Sequence, residues 1–367
     1  MQSISILPLH NGRAPKWLFP RMVKLAKLIS DSIISTYGER ELINRLSNPY
    51  WFQALACAIG YDWHSSGTTT VTVGALKEAL NYNSNIFIAG GKGKQGTSTP
   101  AQIAEGLEYF SSQSKIGEYS NYSRMLAKTD AALVYDDVSI YHHAFIFSKG
   151  GAWCVIQQAM HGASQNAIRF QASLDSVSSD DMTNEPNNAI VADFKKNSLD
   201  LTFHKNEPVK KLSVEAVNTD IRKVLNFSPL TFKLPKRHEI LQGIDLTKRG
   251  RALLEYANGL QPQNYEELLG IKGIGRKTLR SLALISTLLY EEEVYYRDPI
   301  LYAYNVGGKD GIPYEINLKE YDSVISSMRE IVQSSDMSSS DSSNALLRLA
   351  REMESHYSIA GRKAAIQ

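Results

Sequence analysis

Several side chains in the first half of the chain are of the types that phosphodiester chemistry uses. Asp62 and His64 lie in the polar run Tyr61-Asp62-Trp63-His64-Ser65-Ser66-Gly67, between two apolar stretches. Lys77 sits in GALKEAL, His142 and His143 follow Tyr141, Gln157 and Gln158 end AWCVIQQ, and Glu185 stands in Asn184-Glu185-Pro186. Carboxylates, imidazoles and amides that converge are what a Mg²⁺- or Mn²⁺-dependent phosphodiesterase requires. On that reading Asp62, His143 (or His142 in its place) and Glu185 hold the metal. Lys77 stabilises the pentavalent phosphate, and His64 is a base or a further ligand. Gly90-Gly91-Lys92-Gly93-Lys94 does not fit GxxxxGK[ST], but it reads as a phosphate-contacting loop that offers Lys92 and Lys94. Each residue alone reads equally well as a surface polar group or a satisfied buried one. The collection is what points to a site.

These groups need elements to position them. YHHAFIFS and AWCVIQQ, split by Lys149-Gly150-Gly151, read as a β-hairpin. Counting back from the turn puts Tyr141 to His143 opposite Gln157 and Gln158. Neighbouring strand residues face opposite ways, so one His and one Gln share each face. IFIAGGKGK reads as a buried strand running into a Gly/Lys loop. Leu18, Met22, Leu25 and Ile29 recur at helical spacing beside a basic row of Arg21, Lys24 and Lys27. NPYWFQALACAIG reads as a buried helix. After the polar turn comes a Thr/Val stretch, and then a second helix. Beyond Pro208 the pattern is helical, with Ser334 to Ser343 as a polar linker between the last two helices. The expected fold is an α/β (or α+β) domain over residues 1–205 containing the β-hairpin, followed by an all-α domain over residues 206–367.

Composition sets outer limits. The 367 residues are 43% hydrophobic, enough for a real core, which argues against disorder or a fibre. Forty Lys and Arg against 38 Asp and Glu give a net charge of +2, so any anion-binding surface must be local. Cys57 and Cys154 are far apart in apolar surroundings and read as buried thiols of a cytoplasmic protein. No membrane-spanning run and no secretory leader is read.

Tyr265 to Ile285, YEELLGIKGIGRKTLRSLALI, resembles the helix-hairpin-helix (HhH) DNA-binding motif. The resemblance implies backbone contacts to DNA from Gly270 to Thr278: Gly270, Lys272, Gly273, Ile274, Gly275, Arg276, Lys277 and Thr278, with Arg280 adding charge. Gly273 and Gly275 would allow a tight turn, Ile271 and Ile274 would plug the space between the helices, and the contacts would not read sequence. The stretch also resembles DNA glycosylases of that superfamily. That likeness implies Lys277 as a Schiff-base lysine and Asp298 as its downstream acid. Here Ile-Lys-Gly replaces the Leu-Pro-Gly of that family.

Strings along the chain, among them NPYWFQALACAIGYDWHSSGTTT, AGGKGK, IYHHAFIF, WCVIQQAM, TNEPNNAI, LPKRHEI, GIKGIGRKTLRSLAL and GGKDGIPY, resemble the archaeal and bacterial family catalogued as domain of unknown function 763. The match runs from about Ile6 to Asp322. It implies Asp62, His64, Lys77, His142, His143, Gln157, Gln158, Glu185 and His238 as functional positions. Asn305-Val306 stands where that family is expected to carry a histidine. The function expected is DNA processing, first as a metal-dependent DNA nuclease. The alternatives are a glycosylase or abasic-site lyase, and a non-catalytic DNA-binding or scaffold protein.

Overall fold

The computed structural model describes residues 18–61, 66–162, 166–177, 181–192, 196–227, 244, 246–302 and 318–349. Its centre is a five-stranded antiparallel sheet whose strands follow one another in chain order: β1 (Ile86–Lys92), β2 (Val138–Ser148), β3 (Trp153–His161), β4 (Ala167–Ser173) and β5 (Ala189–Ala192). The β2–β3 hairpin sets the two histidines opposite the two glutamines, as expected, and its register places Phe147 opposite Trp153, His143 opposite Gln157 and His142 opposite Gln158.

β2 and β3 are apolar on both sides because helices cover both faces of the sheet. Ala144, Ile146, Cys154 and Ile156 pack into one cluster with α1 (Phe19–Tyr37), α2 (Glu39–Ser47), α3 (Pro49–Ala58) and α4 (Ser66–Leu80). Phe145, Phe147, Trp153 and Val155 pack into another on the far side. There Phe145 and Trp153 stack with ring centroids 5.5 Å apart. After β1 come α5 (Lys94–Thr97), α6 (Thr99–Tyr109) and α7 (Ile116–Thr129), and α6 and α7 give the far cluster Ile103, Leu107, Tyr119, Met125 and Leu126.

The Met22, Leu25, Ile29 stripe of α1 is buried as its spacing predicts. Asn48 caps α3, its side chain accepting from the Tyr50 and Trp51 amides at 3.0 and 2.9 Å. The Thr/Val stretch differs from expectation, because it is part of α4 and not a separate segment. β-branched residues are weak helix formers, but Thr68, Thr69, Val71, Thr72 and Val73 are all buried here, and packing overrides propensity.

The later helices are α8 (Glu207–Asn218), α9 (Ile221–Leu225), α10 (Lys248–Leu260), α11 (Tyr265–Gly270) and α12 (Arg276–Tyr290). Leu199 and Leu201, before the expected boundary at residue 206, share one apolar cluster with Val209 and Val217 after it. β6 (Ser198–Leu199) pairs with β7 (Tyr296–Arg297). Met328, Ile331 and Val332 of α13 (Leu318–Ser334) return to the α1–α4 cluster. A further helix over 339–349 begins inside the stretch expected as a polar linker. Among the described residues no helix is long and apolar enough to cross a membrane.

Candidate active site

A cleft of about 1010 Å³ opens between the start of β2, the first turn of α6, α7 and the first residue of α12. His143 lies on its wall. His143 Nδ1 is 2.8 Å from Gln157 Oε1, and its Nε2 is 2.7 Å from Ser123 Oγ. Gln157 Nε2 donates to Asp130 Oδ2 at 2.5 Å and to the Leu126 carbonyl at 3.3 Å. Asn187 Nδ2 donates to Asp130 Oδ1 at 2.6 Å. These contacts fix the protons. Both donors of the Gln157 amide are spent, so its Oε1 accepts and Nδ1 of His143 carries the hydrogen. Nε2 is then left with its lone pair and accepts from Ser123.

The groups are deeply buried, and burial governs their protonation. It pushes His143 down to about 4, against the opposing hydrogen bond from Gln157, so the ring is neutral at physiological pH. It pushes Asp130 up to about 7, although hydrogen bonds from Asn187 and Gln157 pull the other way, and the nearby Asp200 adds to the rise. Asp130 begins a π-helical turn, Asp130–Val134, that directly follows α7. The backbone oxygens at the end of this turn find partners elsewhere: Leu133 O accepts from the Leu201 amide at 2.9 Å and from Arg280 at 3.2 Å, and Val134 O from the Ser198 hydroxyl.

Lys94, Arg124, Lys128 and Arg276 also line the cleft, and its lining includes no carboxylate. Lys128 donates to the carbonyls of Leu269, Gly270 and Ile271 at 2.6, 3.2 and 3.0 Å, tying the end of α11 to α7. Arg276 donates to the Val138 carbonyl at 2.5 Å. The strand beside the cleft, β1, needs glycine at position 90. Gly90 has φ +97°, and a Cβ there would lie 2.2 Å from the His143 carbonyl oxygen. Lys77 is committed to this strand and to α6, donating to the Gly90 carbonyl at 2.8 Å and to Gln102. It is thus a strut between β1 and α6, where the sequence suggested a contact to phosphate.

His142 and Gln158 point the other way, toward α1–α4. Both are buried, and neither ring nitrogen nor either amide atom has a hydrogen-bond partner among the described residues. Burial, with the charges of His143, Lys92 and Lys77 adding to it, pushes His142 down to about 3. On the same face Arg169 donates to Gln171 at 3.1 Å and lies 4.7 Å over the Phe52 ring.

The expected metal set does not fit a metal where it can be seen. Asp62 and His64 lie outside the described residues, as do His238 and Asn305-Val306. Both ring nitrogens of His143 are engaged. Glu185 is bound to Arg297 at 2.7 Å and His204 at 2.8 Å. Among the described residues no three His, Cys, Asp or Glu side chains are grouped to hold a metal ion.

The stretch that follows α11 is a tight turn between two helices. Gly273 has φ +95°, and a Cβ there would touch Leu253 at 3.0 Å. Gly275 has an extended backbone with open space around it, so the conformation asks for glycine at 273 and not at 275. Ile274 is buried, as a plug would be, but so are Thr278 and Arg280, which face the interior and not a ligand. Lys272 and Lys277 are exposed. An exposed Lys277 lacks the desolvation that activates a Schiff-base lysine. Asp298 accepts from the Ile300 amide at 3.1 Å and from Tyr135 at 3.5 Å, which is a turn-stabilising role.

Sequence reasoning passed over Ser123, Asp130, Arg124 and Lys128. One signal was available: Ser123 and Asp130 are seven residues apart, two helical turns, so they share a face. Arg124 and Lys128 form a parallel row one turn apart.

The site is thus an antiparallel sheet between helical layers, with a Ser-His pair on the wall of a cleft bordered by Lys94, Arg124, Lys128 and Arg276. The chain belongs to the family described as "Protein of unknown function (DUF763)", whose model matches residues 3–316. No curated protein and no solved structure matches it.

Proposed function

We propose that this protein is a DNA-processing phosphodiesterase that seats a backbone phosphate in the cleft between β2 and α12. The carrying observation is that Lys94, Arg124, Lys128 and Arg276 converge beside His143 with no carboxylate among the lining residues. Such a site attracts a polyanion and holds its phosphates without reading bases. The helix-turn-helix at 265–290 supports DNA as the polyanion. Its Gly273 turn and Ile274 plug suit a helix-hairpin-helix, and exposed Lys272 and Lys277 extend the cationic track beyond the cleft. In this reading Arg276 is the shared element, since it opens α12 and also lines the cleft.

The test is binding and cleavage of fluorescein-labelled single-stranded, duplex and branched DNA, with Mg²⁺, with Mn²⁺ and with EDTA. Binding should weaken steeply with salt, and Arg276→Gln should reduce the slope of log K against log salt by about 1. Binding that is insensitive to salt, or unchanged in Arg276→Gln with Lys94→Gln, removes the cleft as the DNA site.

A further inference from the structure

Serines inside helices usually return their hydroxyl to the carbonyl four residues back, as Ser213 does to Val209 at 2.7 Å. Ser123 does not. Its Oγ is directed to His143 Nε2 at 2.7 Å, on the wall of the cleft. The ring is held in the tautomer that accepts this proton by Gln157, whose amide is in turn held by Asp130. A hydroxyl, a base within hydrogen-bond reach and a third group that orients the base make up an activated nucleophile. Three cations, Lys94, Arg124 and Arg276, border the same space and suit the equatorial oxygens of a phosphorus under attack.

We infer that Ser123 is the nucleophile of this cleft and that phosphodiester cleavage passes through a phosphoseryl enzyme. The inference rests on the phosphodiesterase reading above and adds to it the attacking atom. In the first half, the Ser123 Oγ–P bond forms as the bridging P–O bond to one DNA fragment breaks. The hydroxyl proton passes to His143 Nε2 and from there to the departing alkoxide oxygen. In the second half, water gives a proton to His143 as its oxygen bonds to phosphorus. The Oγ–P bond then breaks and the proton returns to Ser123. Bonds and protons balance with water as the sole co-reactant. His143 touches the reacting atoms, and Gln157 is a positioning residue.

The probe is diisopropyl fluorophosphate applied to the full chain in EDTA, read by intact mass and peptide mapping. Attack by Ser123 forms Oγ–P and expels fluoride. The expected result is a single adduct on Ser123, absent in Ser123→Ala and formed about 100-fold more slowly in His143→Gln. Nitrogen NMR of the His143 ring should show the Nδ1–H tautomer in the native protein and a mixture in Gln157→Leu, a signal that packing alone would not move. An unlabelled Ser123 under conditions that fully label trypsin overturns the inference, and so does a label mapped to another residue. Mapping on the native chain needs no variant to fold. DNA binding measured on the same preparation separates the two claims. Binding without a Ser123 adduct sinks the nucleophile and leaves the phosphodiesterase reading standing, whereas a chain that does not bind DNA sinks that reading.

Discussion

His142 and His143 are chain neighbours on one strand, equally buried, and they live in opposite electrostatic worlds. On the face toward α7, His143 belongs to an unbroken run of hydrogen bonds from Ser123 through Gln157 and Asp130 to Asn187. On the face toward α1–α4, His142 and the Gln158 opposite it have no partners among the described residues. Strand alternation sends the two rings to opposite faces, and the helices packed on each face create the difference. A complete network fixes one tautomer and one rotamer for each member. A pair of buried groups without partners carries a desolvation cost and fixes nothing. The ordered face is therefore the one with fixed proton positions, and it is the face on which the proposed chemistry is placed.

The largest expected effect separates the two glutamines. Gln157→Leu leaves His143 Nδ1 without an acceptor and the buried Asp130 with one donor fewer, and should destabilise the fold by about 3 kcal/mol. Gln158→Leu removes two amide atoms that bond to nothing described, and should change stability by less than about 1 kcal/mol in either direction. Urea unfolding of both variants at pH 7 measures the contrast. Equal losses would mean that the two faces are energetically alike.

Next is the pH dependence set by Asp130. Its folded value near 7 lies above its ordinary 3.8, so the folded state holds the proton more tightly than the unfolded chain does. Its contribution is at its best below about pH 4 and is lost as pH rises toward 7. Asp130→Asn cannot titrate. Its stability relative to the native protein should rise between pH 4 and pH 7 and then level off, whatever fixed cost the amide brings. A difference that stays flat across that window would place Asp130 in ordinary solvent.

The histidines carry the opposite sign. His142, near 3 when folded, and His143, near 4, both lie below the ordinary 6.5. Their neutral forms cost nothing extra above pH 6.5, and stability is lost as pH falls below it. His142→Leu removes this penalty and no hydrogen bond, so its gain over the native protein should be small at pH 8 and grow at pH 5. His143→Leu removes the same titration but breaks the relay, so it should show a net loss at both pH values. Thermal unfolding at pH 5 and pH 8 resolves the pair.

Much of this was legible in the chain. The Lys149-Gly150-Gly151 turn and the alternation around it put the two histidines opposite the two glutamines, but which His meets which Gln was not legible, because a shift of one residue at the turn exchanges the pairs. What alternation could not decide was which face would be chemically furnished. That depended on α7 crossing the sheet with Ser123 aimed at His143, and on the π-helical turn beginning at Asp130. Both are tertiary facts with only a spacing of seven to announce them. The same limit applies to Lys77, whose type suggested phosphate contact and whose surroundings make it a support for Gly90. Gly273 and Gly275 were readable as a turn, but of these two Gly273 alone has the positive φ that demands glycine.

Glu185 marks the far end of the comparison, a residue whose type suggested catalysis and whose setting is electrostatic bookkeeping. Burial alone would raise its carboxyl, but hydrogen bonds from His204 and Arg297 outweigh this and hold it below the usual range. Arg297 has a second partner, the buried Asp200, at 2.7 Å. In Glu185→Gln the guanidinium therefore stays paired, and the loss should be under about 1 kcal/mol, as for exposed ion pairs generally. In Asp200→Asn the guanidinium loses its buried anion and keeps Glu185 and the Phe203 ring, and the Thr202 amide and hydroxyl keep a weaker acceptor than the carboxylate they now share. That variant should cost more than Glu185→Gln, and the ordering of the two in urea is the measurement. If Glu185→Gln proves the more costly, the loop at 181–188 is anchored through Glu185 itself, and the small role assigned to it here is wrong.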